Sequence, residues 1–410
     1  MSPSTEATTT AAGKRWEVAD IFREFGTAYR HENTVPHDQR KVMHSIAVCR
    51  TSYLGGHVEK CQKCGFEQHA YNSCRNRHCP KCQCLTKAKW LEDRKAELLP
   101  VPYFHNVFTL PHELNPVALS NRKAIYSILF KAVSETLLQF GRNNLGGTIG
   151  FTAILHTWDQ RLLDHIHLHC VIPGGAQSPY KTKWIPSAEN YLFNVQALSM
   201  VFRGKFIEHL SKAHAKGILD LPGTIAKYAT PDGFSGLIRD IRAKDWVVFS
   251  KKPFAGPKQV LDYIGRYTHR VAISNNRIVD VQDDMVTFSY RDRKDNNTLK
   301  LTTVDSEEFI RRFLLHVLPA GFMKIRHFGL LANKSKKQTI QLCRDLIGDN
   351  IQYPERQKKT ATELMIELTG KDITRCPCCK EGTMITIMEM PYPSIRSAYS
   401  YPHSGYTDSS

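Results

Sequence analysis

The sequence contains no apolar run approaching the roughly 20 residues that span a bilayer as a helix, which excludes a bundle of membrane-crossing helices. Its first 13 residues are rich in Ser, Thr and Ala and lack an apolar core, so no secretory signal is read there and a disordered leader is expected over 1–13. Negative charge is also in short supply. Thirty-nine acidic residues face 56 basic ones, a formal net charge of +17. That imbalance favours a polyanionic partner, with nucleic acid the first candidate; a basic protein with no such partner is the competing reading. No internal repeat is present. At 410 residues with 41% hydrophobic content, the chain is long enough for two or three domains and a sizeable core. The expected setting is the cytoplasm, where thiols stay reduced, so the 12 cysteines point to metal sites or buried thiols rather than disulfides.

Periodicity predicts helical spacing from Trp16 to Cys49 and short helical character from Ala88 to Leu99, stopped by Pro100 and Pro102. A strand is expected at Phe104–Leu110, then a helix from Asn115 to about Phe140, with Pro116 in its first turn. Thr148–Trp158 and the run beginning at His165 read as an antiparallel hairpin. Asn194 caps a further helix that ends at Gly217. Trp246–Ser250 reads as a short strand. Arg277–Val281 and Met285–Tyr290 alternate like a second hairpin. From Pro391 the composition predicts a disordered tail.

Two CxxC knuckles, Cys61-Gln-Lys-Cys64 and Cys79-Pro-Lys-Cys82, stand fourteen residues apart. Each can present two thiolates to one tetrahedral zinc, and the spacing suits a zinc ribbon. Cys74, His78 and Cys84 are further candidates, as replacements or as part of a second site with His57 or His69. Arg75, Arg77, Lys81, Lys87 and Lys89 crowd the same region and make the ribbon a DNA-docking candidate, against the plainer reading of a solvated basic face. Cys376 and Cys379 form half a zinc site whose partners the sequence does not name.

His165, His167 and His169 alternate in one apolar run, so a β-strand places them on one face. A lone histidine is ordinarily a packed core residue; three in alternation form a metal platform. His165/His167 and His167/His169 are both possible pairs. The second is favoured because the apolar strand follows it directly. Two imidazoles leave room for a third ligand and for substrate oxygens. The Gln160 amide oxygen is the preferred third ligand, with Asp159 and Asp164 as rivals. Imidazole plus oxygen is compatible with Mg²⁺ or Mn²⁺ acting on a phosphate.

Tyr263 and Tyr267 stand one helical turn apart, on one face. Such a pair is commonly core packing. Beside a metal platform it points to phosphodiester chemistry with tyrosine as nucleophile. A phenol with a reference pKa near 10 needs activation; a metal-polarised phosphate and neighbouring cations supply it. Arg266 and Arg270 are candidate phosphate contacts.

With these residues in view, the chain resembles the two-tyrosine HUH transposases of rolling-circle insertion sequences. The matching stretches are Tyr71 to Gln83, Leu155 to Gly175 and Val260 to Ile273, in the family's order. One departure is Ile166, where most relatives are expected to carry proline; it lies on the strand face opposite the histidines. The resemblance implies metal ligands at His167 and His169, with Gln160 by analogy to Rep-type nucleases. It also implies nucleophiles at Tyr263 and Tyr267, and a zinc-binding domain on Cys61, Cys64, Cys79 and Cys82.

The expectation is therefore an α+β protein whose HUH core, a central antiparallel sheet flanked by helices, follows a zinc ribbon. The domains expected are the leader (1–13), a helical and zinc-ribbon DNA-binding domain (14–99), the catalytic domain (100–330), a basic helical region with the CPCC motif (331–390), and the tail (391–410). The expected function is nicking and rejoining of single-stranded DNA at element ends and target. It would use Mg²⁺ or Mn²⁺ for catalysis and Zn²⁺ for structure, in the bacterial cytoplasm at the nucleoid, with no membrane partner. Two alternatives are a replication initiator or relaxase with the same chemistry, and a zinc-ribbon regulator that cuts nothing.

Overall fold

The computed structural model describes residues 15–254, 260, 265, 271–292, 294–348 and 359–392. The expected leader and nearly all of the expected tail lie outside these residues.

Three short helices open the chain: α1 (Val18–Glu24), α2 (Gly26–Glu32) and α3 (His37–Ala47). The periodicity expected over one long segment is interrupted at Phe25 and again before Pro36, which cannot continue a helix from the preceding residue. Strands β1 (Gly56–Cys61) and β2 (Glu67–Tyr71) follow, then α4 (Gln83–Lys95), which begins earlier than expected because Cys82 serves as its N-cap.

The central sheet is assembled from β3 (Tyr103–Thr109), β4 (Gly150–Trp158) and β5 (Asp164–Pro173). Between β3 and β4 run α5 (Asn115–Ser120) and α6 (Arg122–Leu145); Asn121 breaks what periodicity reads as one helix. Strands β6 (Gly175–Gln177) and β7 (Trp184–Pro186) pair with each other, and α7 (Val195–Ala215) starts at its Asn194 cap. Helix α8 (Pro231–Ala243) precedes β8 (Val248–Phe254). A meander follows of β9 (Ile278–Gln282), β10 (Met285–Asp292) and β11 (Thr298–Asp305), and α9 (Ser306–Leu315) leaves its end. Then come β12 (Ile325–Gly329), α10 (Lys336–Ile347), α11 (Ala361–Thr369) and β13 (Met384–Met390).

The central sheet has the order β12-β4-β5-β3-β8, antiparallel at every pairing. The histidine strand is thus the middle strand, as expected. Its alternation separates two environments. Ile166, Leu168, Cys170 and Ile172 face a core shared with Phe104, Phe108, Phe151 and Leu155. Leu129, Val133 and Leu137 of α6 and Phe202 and Phe206 of α7 close that side. The odd-numbered residues face the other way, where Val171 joins Ile154, Tyr103 and Val260 in a second apolar cluster.

Packing also runs across the expected domain boundaries. Ile21, Phe22 and Met43 of the first helices share a core with Phe288, Phe309 and Phe313, and the Phe22 and Phe313 rings meet edge-on at 5.2 Å. At the far end of the chain, β13 pairs with β1 over Gly56–Cys61, so β1 lies in the middle of a sheet β13-β1-β2.

Candidate functional site

The register of the β4–β5 hairpin builds the site. His156 on β4 stands opposite His167 on β5, and Ile154 opposite His169. Cross-strand partners share a face, so His156 joins the two strand histidines. The ring nitrogens of His156, His167 and His169 converge within 4.8 Å of one another, and all three residues are buried. The Nε2 atoms of His167 and His169 are 3.1 Å apart.

Both strand imidazoles are held through their other nitrogen. His167 Nδ1 donates to the His165 carbonyl at 2.7 Å. His169 Nδ1 lies 2.9 Å from Nε2 of His105, a buried histidine on β3. Burial, with the Lys251 charge adding to it, lowers the His105 pKa to about 3, so its ring is neutral and Nε2 can accept. Such anchoring leaves the Nε2 lone pairs of His167 and His169 for a metal. His156 stacks on Trp158 at 4.8 Å, which fixes its ring plane. The residues therefore fit a divalent transition ion: three imidazoles converging on one point, with a cleft above for substrate oxygens.

That cleft, about 460 Å³, is lined by His156, Trp158, Asp159, Gln160, Arg161, His165, His167, His169, Tyr290, Arg291, Asp292 and Lys294. The β9–β11 meander thus supplies one wall. Gln160 sits on the lining, on a turn held tightly in place. Asp159 Oδ1 accepts from the backbone N–H groups of Arg161 and Leu163, each at 2.8 Å. Arg277 donates to the Gln160 carbonyl and Arg312 to that of Arg161. Asp159 therefore uses one oxygen to build the turn. Asp164 is not among the lining residues.

Tyr263, Tyr267, Arg266 and Arg270 lie outside the described residues. The two described residues of that segment, Val260 and Gly265, are helical and buried. Val260 belongs to the same apolar cluster as Val171 and Ile154, which lie on the imidazole face of the sheet. Gly265 lies against α4, where an added Cβ would meet Leu91 Cδ1 at 2.8 Å.

The cysteines correct the ribbon expectation. Cys61, Cys64, Cys79 and Cys82 do not converge on one point. Cys79 and Cys82 join Cys49 and Cys74, while Cys61 and Cys64 join Cys376 and Cys379. The physical reason is that β1 and β2 hold the first knuckle at the outer end of their sheet, whereas the second knuckle lies at the start of α4, beside the end of α3. In the first cluster, Cys82 Sγ is 3.6 Å from both Cys49 and Cys74 Sγ. Its position at the N-terminus of α4 favours thiolate charge. Cys74 is one of the replacement candidates named from the sequence; Cys49, outside any CxxC pair, is not. Cys84 is exposed and, with His57, His69 and His78, stands outside both cysteine clusters. Two residues of the supposed basic docking face are engaged internally: Arg77 donates to the carbonyls of Phe322 and Pro319, and Lys81 pairs with Glu17 at 2.8 Å.

His156 was legible in principle. It lies in the matching stretch from Leu155, and counting back across the hairpin places it opposite His167.

Known proteins bear on these features directly. Residues 150–339 match a family model described as "Putative transposase", and residues 21–110 match one described as "Transposase zinc-binding domain". The first match holds the three converging histidines, the second the whole Cys49/Cys74/Cys79/Cys82 cluster. A protein of Sinorhizobium fredii (strain NBRC 101917 / NGR234) named "Putative transposase y4qJ" is 50% identical over 376 residues, covering 90% of this chain and 94% of that protein. The "Transposase for insertion sequence element IS801" of Pseudomonas savastanoi pv. phaseolicola is 26% identical over 292 residues, 70% of this chain and 69% of that protein. No solved structure gives a significant match. Among the described residues, no helix is long and apolar enough to cross a membrane. A buried histidine cluster on a central antiparallel sheet, a tetracysteine cluster that fits structural zinc, and a relative matched at 50% identity over nearly the whole length together place this chain in the transposase family of insertion sequences.

Proposed function

We propose that this transposase nicks and rejoins single-stranded DNA through covalent 5′-phosphotyrosine links during rolling-circle transposition, acting at the nucleoid in the bacterial cytoplasm. The observation that carries the reading is the convergence of His156, His167 and His169 on the sheet face whose Ile154 and Val171 share an apolar cluster with Val260. Tyr263 and Tyr267 follow Val260 in the sequence, on either side of Gly265.

In this reading, His167 and His169 hold a divalent ion, with His156 as third imidazole and Gln160 at the rim offering an amide oxygen. When bound, Mg²⁺ or Mn²⁺ polarises the scissile phosphate. One tyrosine oxygen bonds to phosphorus, the bond from phosphorus to the 3′ oxygen breaks, and that oxygen takes up a proton to leave as a 3′-OH. The phosphodiester's energy is kept in the phosphotyrosine, so a 3′-OH can later reverse the step without ATP. The second tyrosine permits another cleavage before the first link is resolved. Arg266 and Arg270 contact phosphates, and the basic surface holds DNA with a marked salt dependence.

The test is covalent trapping on a single-stranded element end with Mn²⁺ or Mg²⁺. Wild type is expected to give an adduct that survives denaturation and maps by mass spectrometry to Tyr263 or Tyr267. The Tyr263→Phe/Tyr267→Phe variant is expected to give none. An adduct in that double variant sinks the assignment. Binding without cleavage of any end sequence favours the regulator reading.

A further inference from the structure

We infer that the chain holds a second structural zinc, bound by Cys61, Cys64, Cys376 and Cys379, which clasps its two distant ends together. Cys376 and Cys379 lie beyond both family matches, which end at residues 110 and 339. This site is distinct from the cluster inside the zinc-binding domain and does not rest on the cleavage chemistry.

The geometry is that of a closed four-sulfur site. Cys61 and Cys379 Sγ are 3.7 Å apart, and Cys64 and Cys376 Sγ are 3.6 Å apart. All four sulfurs lie within 4.8 Å of one another. A tetrahedral zinc with Zn–S bonds near 2.3 Å sets its sulfurs about 3.8 Å apart. Disulfides need roughly 2.05 Å, and all four residues are free cysteines.

The two knuckles are built alike, although they share little sequence. In the first, the backbone N–H groups of Lys63 and Cys64 donate to Cys61 Sγ at 3.3 and 3.4 Å. In the second, Cys378 N–H donates to Cys376 Sγ and Gly382 N–H to Cys379 Sγ, each at 3.3 Å. Donors aimed at sulfur favour the thiolate, the form that binds metal. The residue after the second cysteine is left-handed in both knuckles, with φ of 73° at Gly65 and 63° at Lys380. Lys380 adopts that backbone despite its Cβ, which the surroundings must enforce. A side chain on Gly382 would collide with Cys61 Sγ, so the two knuckles approach as closely as backbone allows.

The surrounding sheet agrees. β1 and β13 pair up to Cys61 and Met384, and Gln62 N–H donates to the Thr383 carbonyl at 3.0 Å. The clasp thus finishes a sheet whose strands come from opposite ends of the chain. The apolar support beneath it is thin: Cys61, Cys376 and Met384 form a cluster of their own. So small a core needs a metal to hold it.

The experiment measures zinc per chain in the purified full-length protein, with iron measured alongside. Cys376→Ser/Cys379→Ser is expected to lose one zinc relative to wild type. Cys49→Ser/Cys74→Ser is expected to lose a different one, and Cys376→His to retain zinc. In unmodified protein, alkylation of Cys376 and Cys379 is expected to be slow and to accelerate at least tenfold with a strong chelator, in step with zinc release. The clasp is overturned if the Cys376→Ser/Cys379→Ser variant keeps the wild-type zinc content. It is also overturned if the two thiols alkylate at the free-thiol rate before chelation, or if iron takes the place of zinc.

Discussion

His105 Nε2 and His169 Nδ1 lie 2.9 Å apart, two buried imidazoles within hydrogen-bonding distance. If His169 offers Nε2 to a metal, Nδ1 carries the proton and His105 must accept it. His105 is then a positioning residue, one strand away from the ion. Removing such a partner typically costs 10–100-fold in metal affinity. We expect His105→Phe, which keeps the volume, to weaken Mn²⁺ binding by about that factor, read by electron paramagnetic resonance titration. His105→Gln, which restores an acceptor, should recover part of the loss. Unchanged Mn²⁺ affinity in His105→Phe would remove His105 from the site.

The donor set carries a prediction about metal choice. Three imidazoles are poor company for Mg²⁺, which prefers oxygen and keeps its waters. Mn²⁺ tolerates nitrogen better. Adduct formation at equal metal concentration should therefore be faster with Mn²⁺, and His156→Ala should reduce Mn²⁺ affinity more than Gln160→Ala. The reverse order would return Gln160 to the third position.

Gly265 bears on the tyrosine segment. A larger side chain there meets Leu91 of α4, and overpacking of this kind costs about 1–3 kcal/mol. Gly265→Val is expected to lower adduct yield at unchanged Mn²⁺ affinity, and Leu91→Ala in the same chain to restore part of it. Loss of metal binding in Gly265→Val would show that the glycine serves the sheet instead.

Acid should destabilise the fold. Burial, helped by the Arg77 and Lys324 charges, lowers the His78 pKa to about 3, and burial lowers that of His316 to about 4. His78 Nε2 accepts from Leu318 N–H at 3.4 Å, and His316 bridges Thr157 and the Leu162 carbonyl. Protonation would turn acceptors into donors. With folded values below the unfolded value near 6.5, the unfolded chain binds more protons between about pH 6.5 and 4, so stability falls as pH falls through that window. Lys324 runs in the same sense at higher pH. Burial lowers its pKa to about 7, so stability rises as pH climbs from about 7 towards its ordinary value. Thermal melts across pH 4.5–9 check both; for Lys324→Met the alkaline rise should shrink. A melting temperature flat from pH 6.5 to 4.5 would contradict the histidine part.

What the sequence disclosed follows from the range of each signal. The histidine strand was readable because alternation is local: His165, His167 and His169 carry their own period, and the central position of β5 follows from its apolar even-numbered residues. The helix cap at Asn194 and the first-turn proline Pro116 were likewise local. The cysteine partnerships were not. A CxxC knuckle names two ligands and leaves the other two open, so fourteen residues of separation resembled a ribbon while the true partners of Cys61 lay more than 300 residues away. Cys49 stood outside the candidate set, and Cys74 entered it only as a replacement ligand. His156 stood between these cases, requiring the register of a hairpin rather than its existence. The β11 strand was missed because its apolar residues Leu299 and Leu301 are exposed on a meander edge, whereas helix α9, with its Asp305 cap and the buried Phe309, Ile310, Phe313 and Leu314, was legible in local signals.

The central place of β1 between β2 and β13 has a consequence for how the protein is made. One neighbour is translated within moments of β1; the other emerges only after more than 300 further residues. At ordinary ribosomal speeds that is a delay on the order of tens of seconds. Throughout it the nascent chain carries an open strand edge and two waiting thiols, so early termination upstream of Met384 yields a product that cannot complete this sheet, however intact its histidines.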